Sequence, residues 1–334
     1  MTATPAAISR SDSFRFAPSA LEGEAIDAAV HEDLAASLAY LAEHLAPAHP
    51  ESAGALDAVA ARIRDGQRLP PVAFGLYYRM GEAALGGDID AAADIAQVLA
   101  QVPAAAPGLQ VIYRGGANSD ALWPVLEERF GPEEAAGFAP ITAEMATDFE
   151  ARLKDGLALM HSALPDLHGE ITAILREVLL AQAPAGAKME FDGASHYQFW
   201  GLLLLNPNHH KTPLAVVEVL AHEAAHSLLF GLTRTEPLVL NSDDELFTSP
   251  LRVDPRPMDG IYHATFVSAR MAWAMERMSE SPALPIELRQ EAAHLAAEDR
   301  ANFAKGIGTV DAHARLSTTG ARIIEQARAY IDGQ

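Results

Sequence analysis

Apolar residues recur at helical spacing through most of the first half of the chain. Between residues 20 and 45 the positions Leu34, Leu38, Leu41 and Leu45 follow the three- and four-residue repeat of an amphipathic helix. Similar patterns, separated by Gly and Pro, predict helices over residues 51–65, 70–86, 89–102, 118–130, 142–163 and 165–182. Residues 1–19, rich in Ser, Ala and Pro, are expected to be a loose arm, and residues 20–185 a helical region.

Strand-like patterns are few and lie mostly after residue 185. Residues 109–113 are β-prone, and residues 188–192 and 197–205 predict two strands. The last of these contains a continuous apolar run, which is typical of a strand buried on both faces. The sequence therefore predicts a small sheet in residues 186–334.

The helical pattern returns directly after the predicted sheet. Thr212 is a suitable N-cap with Pro213 at the first helical position, and Gly231 is a suitable end. Further helices are predicted over residues 261–278, 286–305 and 311–332. We expect a mainly α-helical α+β protein, in which a helical N-terminal part packs on a C-terminal part that contains the sheet.

The helix that begins at Pro213 contains the sequence AHEAAH at residues 221–226. His222 and His226 are one helical turn apart on the same face, so both imidazoles can bind one metal ion. Glu223 lies between them and can reach a metal-bound water. A pair of solvated or core histidines is the alternative interpretation; we predict a metal site with His222 and His226 as ligands.

A third protein ligand must come from elsewhere in the chain. Glu245 follows His226 by nineteen residues, the separation found in glutamate-zincin peptidases, but the prolines around it leave little room for their helix. His263, in the first turn of the next long helix, is the preferred candidate, although a single histidine on an apolar face is usually a core residue. His196, His209 and His210 are further candidates that flank the predicted strand and helix. The histidines at positions 31, 44, 49, 161 and 168 are scattered, and surface or capping roles are expected for them.

Two arginines, Arg252 and Arg256, lie in a proline-rich segment between the two helices. A guanidinium group binds a carboxylate through two parallel hydrogen bonds, so either arginine is a candidate for binding a small carboxylate near the metal. The alternative is that both are surface residues paired with Asp254 and Asp259.

Composition narrows the choice of partners and ligands. The chain has 334 residues, 49% of them hydrophobic, and a formal net charge of −21, which disfavours nucleic acid or an anionic membrane as partner. It contains no cysteine, so a metal must be bound by histidine, carboxylate and water. The N-terminus has no apolar secretory run and the apolar segments are too short to span a bilayer, which predicts a cytoplasmic protein without a membrane partner.

AHEAAH, SPLRVDPRP at residues 249–257, and the Gly260-x-x-His263 that opens a helix resemble the HExxH-motif peptide-modification proteins. In bacteria these are encoded beside ribosomally synthesised and post-translationally modified peptides (RiPPs). The resemblance covers about residues 190–275. It implies an iron(II)- and 2-oxoglutarate-dependent hydroxylase that acts on a side-chain β-carbon of a precursor peptide. It further implies His222, His226 and His263 as iron ligands and Arg252 or Arg256 as the 2-oxoglutarate-binding residue.

Two alternatives follow from the same residues, one for the metal ligands and one for the function. Non-haem iron oxygenases usually have two histidines and one carboxylate, an arrangement that Glu245 would restore. A zinc metallopeptidase would instead use Glu223 as the general base, with Tyr262 or an arginine stabilising the oxyanion. The helical region of residues 20–185 is a candidate for binding a leader peptide, in addition to or instead of catalysis.

Overall fold

Helices make up most of the chain, and a small sheet lies among them. The structure is a computed structural model that describes residues 14–187, 191–249, 251 and 254–333. Within these residues it has eleven α-helices and six short strands, which confirms the predicted mainly helical α+β class.

Of the seven described α-helices before residue 185, five begin and end within two residues of their predicted positions. The one predicted over residues 118–130 lies five residues later, and the one predicted over residues 165–182 ends eight residues early. The seven helices are α1 (Ala20–Leu45), α2 (Pro50–Arg64), α3 (Pro71–Leu85), α4 (Ile89–Ala100), α5 (Trp123–Ala135), α6 (Ala143–Ala163) and α7 (Pro165–Ile174). The later helices are α8 (Pro213–Leu232), α9 (Met258–Glu280), α10 (Ile286–His313) and α11 (Thr318–Ile331). The strands are β1 (Gln110–Tyr113), β2 (Glu177–Leu180), β3 (Gly193–Ser195), β4 (Leu202–Leu205), β5 (Leu246–Phe247) and β6 (Arg256–Pro257).

The main sheet has the order β1-β2-β4-β3. β1, β2 and β4 are parallel, with Val178 opposite Leu203, and β3 is an antiparallel edge strand. The four leucines of β4 are buried, as predicted for a strand covered on both faces. Because β1 and β2 precede residue 185 and β3 and β4 follow it, the sheet contains strands from both parts of the chain.

Several predicted elements differ from the structure, three of them around the sheet. The helix predicted over residues 286–305 continues to His313, and the one predicted from residue 311 begins at Thr318. The helix expected over residues 165–182 ends at Ile174 and is followed by β2, because a short apolar run fits a helix and a buried strand equally well. The strand expected from Tyr197 begins only at Leu202, after a turn in which Gly201 has a φ of +84°. β3 begins at Gly193, after the predicted 188–192 strand, of which residues 188–190 lie outside the described part.

The end of the predicted loose arm is packed in the core. Phe14 and Phe16 are buried, and their ring centroids lie 6.2 Å and 6.0 Å from that of Phe266 on α9. The prediction of a loose arm was therefore wrong for residues 14–19, since two buried aromatic side chains fix this segment. Residues 1–13 lie outside the described part of the chain.

A buried polar network joins α1 to the sheet. The carboxylate of Asp27 accepts hydrogen bonds from Arg176 Nη2 at 3.0 Å and Trp200 Nε1 at 3.0 Å. His31 is fully buried one turn later, with its Nδ1 2.9 Å from the Asp27 carbonyl oxygen and its Nε2 accepting from Leu69 N–H. The expected surface or capping role of His31 was wrong: both of its ring nitrogens have partners inside the fold.

α8 is the central helix of the C-terminal part. By length and composition it could cross a bilayer, but most of it is buried against other elements, as in the core helix of a globular protein. Gly231 does not end it, since the helix continues to Leu232. A Cβ at position 231 would lie 2.4 Å from Ile26 Cγ2, so glycine is needed there for the close approach of α1.

Candidate metal centre

The start of α8 is fixed to the sheet by a polar turn. Thr212 Oγ1 accepts a hydrogen bond from Ala215 N–H at 3.1 Å, which confirms the predicted N-cap. Asn206, fully buried at the end of β4, donates from its side chain to the Phe191 carbonyl and accepts from Asn208 N–H, each at 3.1 Å. This turn determines where the histidines of α8 stand relative to the sheet.

His226 and His263 lie against each other across the interface of α8 and α9. Their Nδ1 atoms are 3.2 Å apart, and the rings are nearly parallel, with an interplanar angle of 15°. Two nitrogens bound at about 2.0–2.1 Å to one tetrahedral metal ion lie about 3.3 Å apart. The observed distance therefore fits two ligands of one metal ion as well as a hydrogen bond between two neutral imidazoles.

The surroundings of His263 favour the neutral form of its imidazole. Burial lowers the pKa of His263, and the Asp259 carboxylate, 3.9 Å from Nε2, opposes this shift only in part. The ring of Phe230 covers the same region, with its centroid 5.3 Å from that of His263. A neutral imidazole is the form that binds metal ions, so this environment suits a ligand.

His222 lies one turn before His226 and is more exposed. Its ring centroid is 5.1 Å from that of His226, its side chain is 39% exposed, and its Nδ1 is 3.1 Å from Met271 Sδ on α9. Within the described residues, no three His, Asp or Glu side chains stand together in a metal-binding arrangement. The structure thus pairs two of the three predicted ligands and places the third beside them, facing Met271.

Glu223 lies on the side of α8 that faces the sheet, whereas His222 and His226 face α9. Its side chain is only 4% exposed, and its Oε1 is 3.8 Å from His222 Nε2. A Cβ at position 193 would be 2.7 Å from the same oxygen and 3.1 Å from Leu205 Cδ2. The carboxylate is therefore held between His222 and the backbone of β3, where a glycine leaves room for it.

Glu245, the carboxylate alternative for the third ligand, is bound elsewhere. Its carboxylate accepts hydrogen bonds from Arg315 Nη2 at 2.8 Å and from Asn241 Nδ2 at 3.4 Å. The hydrogen bond from Arg315 lowers the pKa of Glu245. The structure places His263 against His226, whereas Glu245 joins the segment after α8 to Arg315, between α10 and α11.

Only one of the two candidate arginines can be described. Arg256 lies in β6, directly before α9, and its Nε is 2.8 Å from Asp254 Oδ2, as in the surface-pair alternative. Arg252 lies outside the described residues. Binding of 2-oxoglutarate by either arginine stays a prediction.

The remaining histidine candidates have partners of their own. His196 stacks on Tyr197 with ring centroids 5.1 Å apart, and burial, aided by Arg129, lowers its pKa to about 4. His210 Nε2 is 3.3 Å from Asp192 Oδ1, and His209 Nδ1 is 3.9 Å from the same atom. These contacts place the three residues around β3 and the turn before α8.

Tyr262, considered above as an oxyanion donor, faces α11. Its hydroxyl is buried and donates a hydrogen bond to the Gly320 carbonyl at 2.8 Å. Burial raises the pKa of this phenol, with a further contribution from Asp259. The hydroxyl proton is thus used in holding α9 to α11.

Two carboxyl groups with raised pKa values lie on the N-terminal side of the site. Glu218 lies one turn before His222, and burial, followed by the nearby Asp192 and Glu298, raises its pKa to about 7. Asp299 on α10 is 4% exposed, and burial together with Glu218 raises its pKa to about 8. Near pH 7 both carboxyl groups are therefore at least partly protonated, and a cation bound at the adjacent histidines would favour their ionisation.

Sequence reasoning missed three neighbours of the predicted ligands. Phe230 had a detectable signal, because it follows His226 by one turn on the same face of α8. Met271 lies on α9 eight residues after His263, a spacing compatible with a shared face, but nothing in the sequence pairs it with His222. Gly193 carries no signal for its contact with Glu223, since that contact depends on how β3 packs against α8.

Comparison with known proteins adds no family assignment. No protein-family model matches the chain, and no curated protein is significantly similar to it.

Proposed function

We propose that the chain is an iron(II)- and 2-oxoglutarate-dependent hydroxylase that acts on a side-chain β-carbon of a ribosomally made precursor peptide. The observation that carries this proposal is the 3.2 Å approach of the Nδ1 atoms of His226 and His263, with His222 one turn away. A zincin-type peptidase would be expected to take its third ligand from a glutamate such as Glu245, which Arg315 binds instead.

The donor set fits a divalent metal ion that keeps open positions. His222, His226 and His263 would hold it through neutral imidazoles, which suit iron as well as zinc. To join the other two, the His222 ring has to turn from Met271, and its exposure leaves room for that movement. Iron(II), together with 2-oxoglutarate and oxygen, would supply the oxidising power that C–H hydroxylation requires and that no side chain has.

Glu223 would act as a positioning residue in this reaction. Its carboxylate is buried and lies 3.8 Å from His222 Nε2, where it can orient the imidazole and raise its basicity. Arg256 would bind the distal carboxylate of 2-oxoglutarate. Asp254 contacts Nε of Arg256, and the N–H donors on the two terminal nitrogens of the guanidinium group would bind the 2-oxoglutarate carboxylate.

The proposal is tested by mixing the protein with iron(II) and 2-oxoglutarate in the absence of oxygen. We expect a visible metal-to-ligand charge-transfer band, which should be lost in His263→Ala and retained in His161→Ala, a control at an exposed position of α6. A folded, iron-loaded protein that shows no such band would contradict the proposal.

The proximity of Glu223 to His222 also supports a second candidate function, a zinc metallopeptidase. Zinc would lower the pKa of its bound water to about 7, and Glu223 would take the proton as general base. Glu223→Gln would then abolish peptide cleavage while zinc content stays unchanged. In a hydroxylase the same substitution would reduce turnover only in part, because no proton has to move to Glu223.

A further inference from the structure

A cavity of about 410 Å³ lies beside the histidine site, on the far side of Phe230. Phe230 follows His226 by one turn of α8, and its ring contacts His263. The same side chain lines the cavity, whose wall also includes the half-exposed Tyr197. Phe230 is thus a wall shared by the histidine site and the cavity.

Six of the thirteen residues that line the cavity are aromatic. The aromatic side chains are those of Phe74, Tyr77, Tyr78, Tyr197, Trp200 and Phe230. Three of them meet edge to face: Tyr77 and Tyr78 have ring centroids 5.1 Å apart, and Tyr78 and Tyr197 5.7 Å. Rings set at such angles offer both faces and edges to an incoming ring, the arrangement that aromatic pairs prefer.

The charges of the lining compensate each other. Its two charged residues are Asp33 on α1 and Arg234 after α8, and they form an ion pair in which Nε lies 2.9 Å from Oδ2. An anionic occupant would be desolvated against aromatic rings without an unpaired counter-ion, which is unfavourable. A cationic one, although ring faces attract cations, would lie beside the positive charge of Arg234. The lining is therefore complementary to an uncharged group.

The size and position of the cavity suit part of an extended peptide. Its volume lies in the range of about 300–1,000 Å³ typical of ligand sites, so it can hold a large side chain together with some adjacent backbone. Phe230 and His226 are separated by one turn of α8, which is about 5.4 Å along the helix axis. An extended peptide covers this distance in about two residues, because it advances about 3.3 Å per residue. An occupant beyond Phe230 would then be about two or three residues from a residue held at the histidines.

We propose that this cavity binds an uncharged aromatic or large aliphatic side chain of the peptide substrate, two or three residues from the residue that is modified. This rests on the proposed function, in that the histidine site acts on a peptide. The cavity then selects the substrate sequence and sets which residue reaches the histidines.

The test uses the full-length chain and three blocked pentapeptides, acetyl-Gly-Gly-X-Gly-Gly-amide, in which X is Phe, Lys or Glu. Binding is measured by ligand-observed NMR without iron or 2-oxoglutarate. We expect the Phe peptide to bind and the Lys and Glu peptides to bind at least about tenfold more weakly. Equal binding of all three peptides, or no binding of the Phe peptide, would overturn the proposal.

A matched pair of variants locates the binding. Ser37 on α1 lines the cavity, whereas the neighbouring Ala36 is exposed and outside it. Ser37→Phe should fill the cavity and weaken binding of the Phe peptide at least about tenfold, while Ala36→Phe should change it less than about twofold. Thermal unfolding of both variants checks that they fold. Retained binding in a folded Ser37→Phe would contradict the assignment.

Other occupants give different results in the same experiment. Free p-cresol that binds at least about tenfold more tightly than the Phe peptide would indicate a small-molecule site that excludes peptide backbone, and a dimer that dissociates in Ser37→Phe would indicate a second copy of the chain; either overturns the proposal. Failure of the proposed function is separable from these outcomes. A missing charge-transfer band with intact peptide binding overturns the hydroxylase alone, and a normal band without cavity-dependent binding overturns this inference alone.

Discussion

The position of Glu223 depends on a glycine in the neighbouring edge strand, and this contact gives a quantitative prediction. In Gly193→Ala the new methyl group would lie 2.7 Å from Glu223 Oε1, 3.2 Å from its Cδ and 3.1 Å from Leu205 Cδ2. Ordinary carbon–carbon contacts are about 3.5–4.0 Å, so the carboxylate or β3 has to move by roughly half an ångström or more. Both partners are packed between α8 and the sheet, which limits how easily they give way.

The cost of this substitution can be estimated from the packing. An extra methyl group in a well-packed site destabilises by about 1–3 kcal/mol. The entropy of unfolding is about 2.1 cal/mol/K per residue, which gives about 0.7 kcal/mol/K for the 334 residues of this chain. We therefore expect Gly193→Ala to lower the melting temperature by about 1–4 °C. Gly81→Ala, on α3 with no atom within 4 Å of its added Cβ, should leave it unchanged or raise it.

A double-mutant cycle assigns this cost to Glu223. When Glu223→Ala has removed the carboxylate, the methyl group of Gly193→Ala loses its closest contact, so most of the destabilisation should disappear. The four proteins are compared by thermal and urea unfolding under one set of conditions. An equal cost of Gly193→Ala in both backgrounds would refute the proposed contact, because the clash would then lie elsewhere.

Three further predictions concern the metal site and its acidic surroundings. His263→Ala should weaken iron(II) binding by at least about tenfold, and His161→Ala should not, as measured by competition with a chelator. Glu245→Gln should leave that affinity unchanged; a loss comparable to that of His263→Ala would restore the carboxylate-ligand alternative. Burial, together with Glu218, raises the pKa of Asp299 from 3.8 to about 8. Between about pH 4 and pH 8 the folded state therefore retains a proton that the unfolded state releases. The free energy of unfolding should fall as the pH rises through this interval. Asp299→Asn should flatten that decline in a melting series from pH 5 to pH 9, and an unchanged slope would argue against this titration.

The local parts of the fold were predictable from the sequence. The α8 start at Thr212 and Pro213 depends on a cap and a proline at adjacent positions, and both act within one turn. The shared face of His222 and His226 follows from helix geometry alone. Such features need no knowledge of which elements pack together.

The parts that were missed depend on packing between distant segments. β2 pairs with β4 across more than twenty residues, and its apolar run has no property that separates a buried strand from a helix. The aromatic cavity combines side chains of α1, α3 and α8 with the turn before β4, so no single stretch of sequence contains it. The burial of Phe14 and His31 likewise depends on partners that are far away along the chain.

The two interpretations of the HExxH motif depend on two different interfaces of α8. On the side of α9, His226 contacts His263 and His222 contacts Met271, so the two helices are antiparallel. The packing of α9 therefore determines the geometry of the histidine ligands. Towards the sheet, Glu223 lies against Gly193, so β3 determines the position of the carboxylate. A change in the α8–α9 interface should therefore affect metal binding in either type of enzyme. A shift of Glu223 caused by Gly193→Ala should abolish turnover only if Glu223 transfers a proton, because a base must lie within hydrogen-bond reach of the water that it deprotonates. A hydroxylase should keep most of its activity after this change.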